Sequence, residues 1–190
     1  MAPPIRILLL SGSTRAGSTN TAALRAAHAI SDERIATVLY DGLADLPAFN
    51  PDDDHDLLPP AVTRLRDQIA AADGVLFCTP EYAGALPGSF KNLLDWTVGG
   101  PEMYGKPVAW INVAAEGRGE NADASLRIVL GYVGAVPVEE AVTRVIVGRA
   151  DVDADGRIGH AGVASQIERV VRTFAGAIAN RSAAADEVDR

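Results

Sequence analysis

The 190-residue chain is 48% apolar and 22% charged, and its 17 basic and 25 acidic side chains leave a net charge of −8. Those values fit one folded domain with a sizeable core, exclude a disordered or fibrous chain, and oppose binding to polyanionic nucleic acid. One cysteine, Cys78, excludes a disulfide framework and a multi-cysteine metal site, and His28, His55 and His160 make no ligand spacing, so no metal is expected. The start, MAPPIRILLLSG, has no run of signal-peptide length, and no segment approaches the roughly 20 apolar residues that span a bilayer. A cytoplasmic protein with no membrane partner is expected.

The first element is the apolar run Ile5 to Leu10, which reads as a strand covered on both faces. Ile35 to Tyr40, Val75 to Thr79, Val108 to Ala114 and Val142 to Val147 repeat that pattern at strand length. Helical stretches alternate with them: Thr21 to Ile30, Leu57 to Ala72, Leu86 to Val98, Ala122 to Val133, and Ala164 to Ile178. Leu86, Phe90, Leu93 and Leu94 have the spacing of a helix face laid on a sheet. Alternation of this kind predicts parallel strands with right-handed crossovers and helices on both faces. The expected architecture is an α/β, flavodoxin-like three-layer sandwich whose five-stranded parallel sheet has the order 2-1-3-4-5, with a ligand crevice where the order reverses. A single domain is expected over residues 1–180. The tail 181–190 loses its apolar face and is expected to fray.

Two segments fall at that crevice. After the first strand, residues 11–21 hold six hydroxyl side chains (Ser11, Ser13, Thr14, Ser18, Thr19, Thr21), Arg15, Asn20 and the amides of a helix amino terminus. Such a terminus suits a phosphate, Gly12 and Gly17 allow close backbone approach, and Arg15 adds a forked cation. A plain helix cap at Ser18 or Thr19 accounts for one hydroxyl and leaves the others unexplained. Neither the P-loop ending nor the Gly-x-Gly-x-x-Gly fingerprint is present. After the third strand, TPEYAGALPGSFKNLLDW supplies two stiffening prolines, Pro80 and Pro87, and a floor of small residues on which a planar heterocycle could lie.

GSTRAGSTN (12–20) and PEYAGALPGSFKNLLDW (80–96) together resemble the paired signatures of the NADPH-dependent FMN reductases, which include chromate, quinone and azo dye reductases. The resemblance implies FMN bound without a covalent link, NADPH or NADH as electron donor, and a small-molecule electron acceptor. By that likeness Ser13, Arg15, Ser18, Thr19 and Asn20 surround the phosphate and ribityl chain, and Pro80, Glu81, Tyr82 and Ala83 line the isoalloxazine. Backbone amides around Glu116 to Gly119 face the flavin N1 side, and Tyr82 and Arg118 meet the substrate. No side chain is expected to act as acid, base or nucleophile, because the flavin carries the chemistry. The likeness also places the helix matching Ser89 to Trp96 at a homo-oligomer interface, in a dimer or tetramer. The chain departs from the family pattern at Ala83, where Asn is frequent, and after the fourth strand, where AAEGRGENADASLRIVL replaces a double-glycine loop.

Three other stretches receive plain readings. DVDADGRI (151–158) imitates the start of a calcium loop but ends on Gly162 where a glutamate is required, so it reads as an acidic turn. DGLADLPAFNPDDDHD (41–56) reads as a solvated loop near the crevice, and Cys78 and His28 read as structural. The function expected is a two-electron oxidoreductase; a non-enzymatic flavin carrier or redox-sensing module is the alternative.

Overall fold

The computed structural model describes residues 3–188. The strands are β1 (Ile5–Ser11), β2 (Ile35–Tyr40), β3 (Gly74–Cys78), β4 (Pro107–Asn112), β5 (Val136–Pro137) and β6 (Thr143–Arg144). The α-helices are α1 (Thr19–His28), α2 (Pro60–Ala70), α3 (Gly88–Asp95), α4 (Glu120–Tyr132) and α5 (Ala161–Val188). All pairings are parallel in the order β2-β1-β3-β4-β5, with β6 also on β4, which is the expected flavodoxin-like topology.

The period of two along each central strand sorts its side chains between two cores. Ile7, Leu9, Leu76, Cys78, Ala109 and Ile111 face the layer made by α1 and α5. Leu8, Leu10, Val75, Phe77, Val108 and Trp110 face α2, α3 and α4. Each fully buried leucine or isoleucine is worth about 1.5–3 kcal/mol, so the apolar runs that identify the strands also hold the layers together. Among the described residues, no helix is long and apolar enough to cross a membrane.

The fifth strand differs from the expected Val142 to Val147. From the pair Pro107↔Val136 to the pair Ile111↔Thr143, β4 advances four residues while its neighbour advances seven. The three extra residues form a 3-10 turn at Glu139–Ala141, which splits the edge strand into β5 and β6. Backbone bonds from Val145 to Asn112 (3.0 Å) and from Val147 to Val113 (3.1 Å) then carry the edge past the end of β4. At the other end, α5 continues through Val188, eight residues beyond the boundary expected at 180.

The acidic run 41–56 is not simply solvated. Asp54 accepts from Arg66 Nη2 at 2.8 and 3.0 Å, and Arg66 Nε donates to the Trp96 carbonyl at 2.8 Å. Both charged side chains are nearly buried, 9% and 12% exposed. Phe49 meets Trp96 edge-on at 5.0 Å, while Trp96 Nε1 donates to the Pro47 carbonyl at 2.9 Å. Breaking a buried pair on one side leaves an uncompensated charge, which costs 3–5 kcal/mol. Because Asp54 lies on a loop that can turn it to water, Arg66→Ala is expected to cost about 3 kcal/mol in urea unfolding. The double change Arg66→Met with Asp54→Asn should recover much of that loss.

Candidate functional site

The carboxyl ends of β1, β3 and β4 open into one cavity of about 660 Å³, within the range of cofactor sites. Its first wall is the segment between β1 and α1. The Gly12 amide donates to the Cys78 carbonyl at 2.8 Å, and a Cβ at position 12 would lie 2.1 Å from Thr79 Oγ1, so only glycine fits. Ser11 Oγ lies 2.8 Å from Thr21 Oγ1, and Ser18 Oγ accepts the Thr21 amide at 3.4 Å as the cap of α1. Ser13 Oγ accepts the Arg15 amide at 3.3 Å, so four of the six hydroxyls shape the loop, while Ser13, Ser18 and Thr19 line the cavity and Thr14 does not.

Asn20 is buried, and its Oδ1 accepts from the Cys78 thiol at 3.3 Å, which leaves its NH₂ as the group to offer a ligand. Burial pushes the Cys78 thiol far above its ordinary range, so the sulfur is an inert support. The amides of Thr19 and Asn20 find no acceptor among the described residues, as the first turn of a helix dictates. Arg15 lies on the same wall, exposed and in no ion pair among those residues.

The second wall is Thr79 to Tyr82. Tyr82 and Ala85 exchange backbone hydrogen bonds of 3.0 and 3.1 Å around Ala83 and Gly84, whose φ values are +50° and +73°. That is a two-residue turn with both central residues left-handed, a conformation suited to Asn-Gly and strained for alanine. The departure from Asn at Ala83 is thus first a backbone matter, and Ala83 does not line the cavity. Glu81 lines it, but its carboxylate is engaged: Oε2 accepts from the Asn121 and Ala122 amides at 3.0 and 3.2 Å. Gly119, the N-cap of α4, has no side chain to cap the helix, and Glu81 reaches across from another loop to do so.

The third wall, residues 113–121, is held by two side chains that the sequence reading missed. Asn112 Nδ2 donates to the Gly119 carbonyl at 3.2 Å and to Asp123 Oδ2 at 2.7 Å, and its Oδ1 accepts the Ala114 amide at 3.0 Å. Burial holds the Asp123 carboxyl above the usual carboxylate range, against the bond from Asn112. Arg144 Nη1 donates to the carbonyls of Ala114, Ala115 and Arg118 at 3.0, 2.7 and 2.8 Å. Gly117 and Gly119 have φ of +71° and +79°, and a Cβ at 119 would lie 2.8 Å from the Asn112 amide group. They supply the backbone freedom of the absent double glycine. Gly117 and Arg118 line the cavity; Glu116 is exposed beside it and does not. Val147 and Arg149, also missed, complete the lining past β6.

No cluster of three metal-ligating side chains occurs among the described residues. Asp153, in the calcium-like stretch, accepts the Asp155 and Arg157 amides at 2.9 Å each, the geometry of a plain acidic turn. His28 Nδ1 lies 2.9 Å from Thr37 Oγ1, remote from the cavity.

Fold and site together define a flavodoxin-like flavoprotein with its crevice at the topological switch. The pattern of the NADPH-dependent FMN reductases matches residues 5–146, and the chain belongs to that family. It is accordingly an NAD(P)H-dependent oxidoreductase with FMN as cofactor. An NAD(P)H-dependent FMN reductase of Pseudomonas aeruginosa is 37% identical over 162 residues, which are 83% of this chain and 86% of that protein. A quinone reductase of Escherichia coli strain K12 is 34% identical over 111 residues, 57% of this chain and 59% of that one, so the match there spans under two thirds of the relative. The solved structure of FerB, a flavoenzyme NAD(P)H:(acceptor) oxidoreductase of Paracoccus denitrificans, superposes with a TM-score of 0.79 at 29% identity, covering 93% of this chain and 98% of that one.

Ala83→Gly tests the strained turn. Relief of left-handed strain, about 1–2 kcal/mol, outweighs the entropy that glycine adds to the unfolded chain, about 0.4–1 kcal/mol. A net gain of roughly 0.5–1 kcal/mol, seen as a higher melting temperature, is the expected outcome.

Proposed function

We propose that the cavity holds FMN with its phosphate at the amino terminus of α1 and its ring system toward Pro80–Tyr82 and the 113–119 loop, and that the acceptors are quinones, azo compounds or similar oxidants. The observation that carries this reading is the set of unengaged donors on one wall: the Thr19 and Asn20 amides, the Ser13 and Thr19 hydroxyls and Arg15. A phosphate needs several donors converging in just this way. When bound, FMN supplies the hydride and electron chemistry between NAD(P)H and the acceptor.

The chain's own residues bind and orient. Pro80 stiffens the second wall, and Tyr82, 54% exposed, stands at the mouth where a substrate ring enters. The amides of Glu116 and Gly117 have no acceptor among the described residues, in a loop whose path Arg144 fixes through three carbonyls. They are donors for the electron-rich edge of the flavin, the role expected of Glu116 to Gly119. Ala83 and the Glu116 side chain have no place in this arrangement.

A homo-oligomer is part of the same proposal, on a different surface from the one expected. Phe90, Leu93, Leu94 and Trp96 of the α3 region are buried in the chain's own core, so that region has only its outer face, with Val98, to offer a partner. Ile128 and Tyr132, one turn apart on α4, are 62% and 90% exposed and are the apolar surface for a second copy. Light scattering should give a dimer or tetramer. A cytoplasmic location completes the proposal.

Anaerobic stopped-flow mixing of FMN-loaded protein with NADPH, and separately NADH, tests the function. Bleaching of the flavin absorbance followed by reoxidation with benzoquinone is expected; no bleaching by either nucleotide over minutes overturns the reading. Loss of a charge-assisted contact is worth about 1.5–3 kcal/mol, so Arg15→Ala should weaken FMN roughly tenfold or more in titration. Riboflavin, which lacks the phosphate, should bind much more weakly than FMN.

A further inference from the structure

The cavity carries more positive charge than one phosphate requires. Arg15, Arg118 and Arg149 all line it, against two acids, Glu81 and Glu120, in a protein of net charge −8. None of the three forms an ion pair among the described residues, whereas Arg66, Arg127, Arg144 and Arg172 each do. The sequence sets acids close to Arg118 and Arg149, yet the structure engages most of them elsewhere. Asp151 accepts the Gly148 amide at 2.7 Å, and Asp153 takes the two amides of its own turn. Glu81 caps α4, and Glu120 lies 3.9 Å from Arg144.

The two groups of cations also come from different strands of the sheet. Arg15 follows β1, and Arg149 follows β6, which continues the edge beyond β4. Three strand spacings of 4.7–4.9 Å separate those strands, about 14 Å along the sheet, so the two arginines enter the cavity from opposite sides. The Val147 amide bonds to the Val113 carbonyl at 3.1 Å, which runs the segment leading to Arg149 along the start of the loop that carries Arg118, and both arginines line the cavity. The Arg118 backbone is fixed at both ends, its amide on Ala115 and its carbonyl on Arg144, so its side chain is free while its base is held.

We propose that Arg118 and Arg149 form a second anion subsite, distinct from the amino terminus of α1, that takes a phosphate group of the adenosine half of the nucleotide donor. The proposal rests on the NAD(P)H reading above for the identity of the ligand, though not for the existence of the subsite. Guanidinium forks match phosphate oxygens two at a time, which makes arginine the fitting residue there. A 2′-phosphate, which NADPH has and NADH lacks, and the 5′-phosphate common to both share this chemistry.

Calorimetric titration with adenosine 2′,5′-bisphosphate and with adenosine 5′-monophosphate, on FMN-loaded protein, tests the subsite and separates the two sources. Arg149→Ala should weaken the bisphosphate roughly tenfold or more, and Arg149→Glu further, while FMN affinity falls much less than it does in Arg15→Ala. A loss confined to the bisphosphate assigns the 2′-phosphate; equal losses with both ligands assign the 5′-phosphate. Unchanged binding in Arg149→Ala and in the double variant Arg118→Ala with Arg149→Ala overturns the proposal. So does the absence of any binding to the parent chain at millimolar ligand. Repeating the titrations without FMN keeps the question apart from the cofactor reading: binding then lost through Arg15→Ala but not through Arg149→Ala also overturns it, whereas failure to take up FMN counts only against the function proposed above.

Discussion

One backbone hydrogen bond, from the Gly12 amide to the Cys78 carbonyl, carries the β1–β3 ladder past the pair Ser11↔Cys78 and joins two strand ends just before the chain diverges. It exists because position 12 has no Cβ to strike Thr79. From that point the two connections leave on opposite faces. Ala23, Leu24 and Ala27 of α1 enter the core shared with α5, and Phe90, Leu93 and Leu94 of α3 enter the other. A crevice opens between segments that turn away from each other, and its walls are set by a ladder with buried side chains on either side. The site is therefore as rigid at its base as the sheet itself, although its rim is loop.

The third wall is built on another principle. The 113–119 loop has no regular structure, and its shape comes from polar contacts with residues distant in sequence: Glu81 to α4, Asn112 to both ends of the loop, Arg144 to three carbonyls. Each bond is modest alone, about 0.5–1.5 kcal/mol net and up to about 3 kcal/mol with a charge. Their combined effect is to fix the path of the loop, because three carbonyls gathered on one guanidinium hold residues 114, 115 and 118 together.

The sheet was legible because parallel strands buried on both faces show as apolar runs, and Ile35–Tyr40 has the boundaries expected for it. The edge was not legible in the same way. Val136 and Pro137 are only partly buried, and the 3-10 turn that separates them from Thr143 contains two glutamates, so no continuous run marks the strand. The 11–21 segment announced itself by crowding, since six hydroxyls in eleven residues exceed what one helix cap uses, although the fold turns four of them to shaping the loop. Asn112, Arg144 and Arg149 gave no such signal, since an asparagine ending a strand or an arginine on an edge is ordinary until the fold shows what it faces. Trp96 misled for the opposite reason. A large aromatic near a helix end suits an interface or a core equally well, and here Phe49 and Pro47 cover it.

Charge distribution explains how an acidic protein keeps a cationic cavity. A carboxylate placed freely near Arg15, Arg118 or Arg149 would neutralise the site, and the surrounding sequence is rich in them. Backbone amides prevent this by taking several of those acids first, at the start of α4 and in the turns at 148–151 and 153–157. Helix and turn amides prefer anions, and a carboxylate satisfied by two of them has little left to offer a mobile guanidinium. Among the described residues that line the cavity there is no histidine or cysteine, Glu81 is engaged on α4, and Glu120 lies 3.9 Å from Arg144. A site built this way is suited to holding anions and positioning rings, not to moving protons, which is what a reaction carried by a bound cofactor asks of its protein.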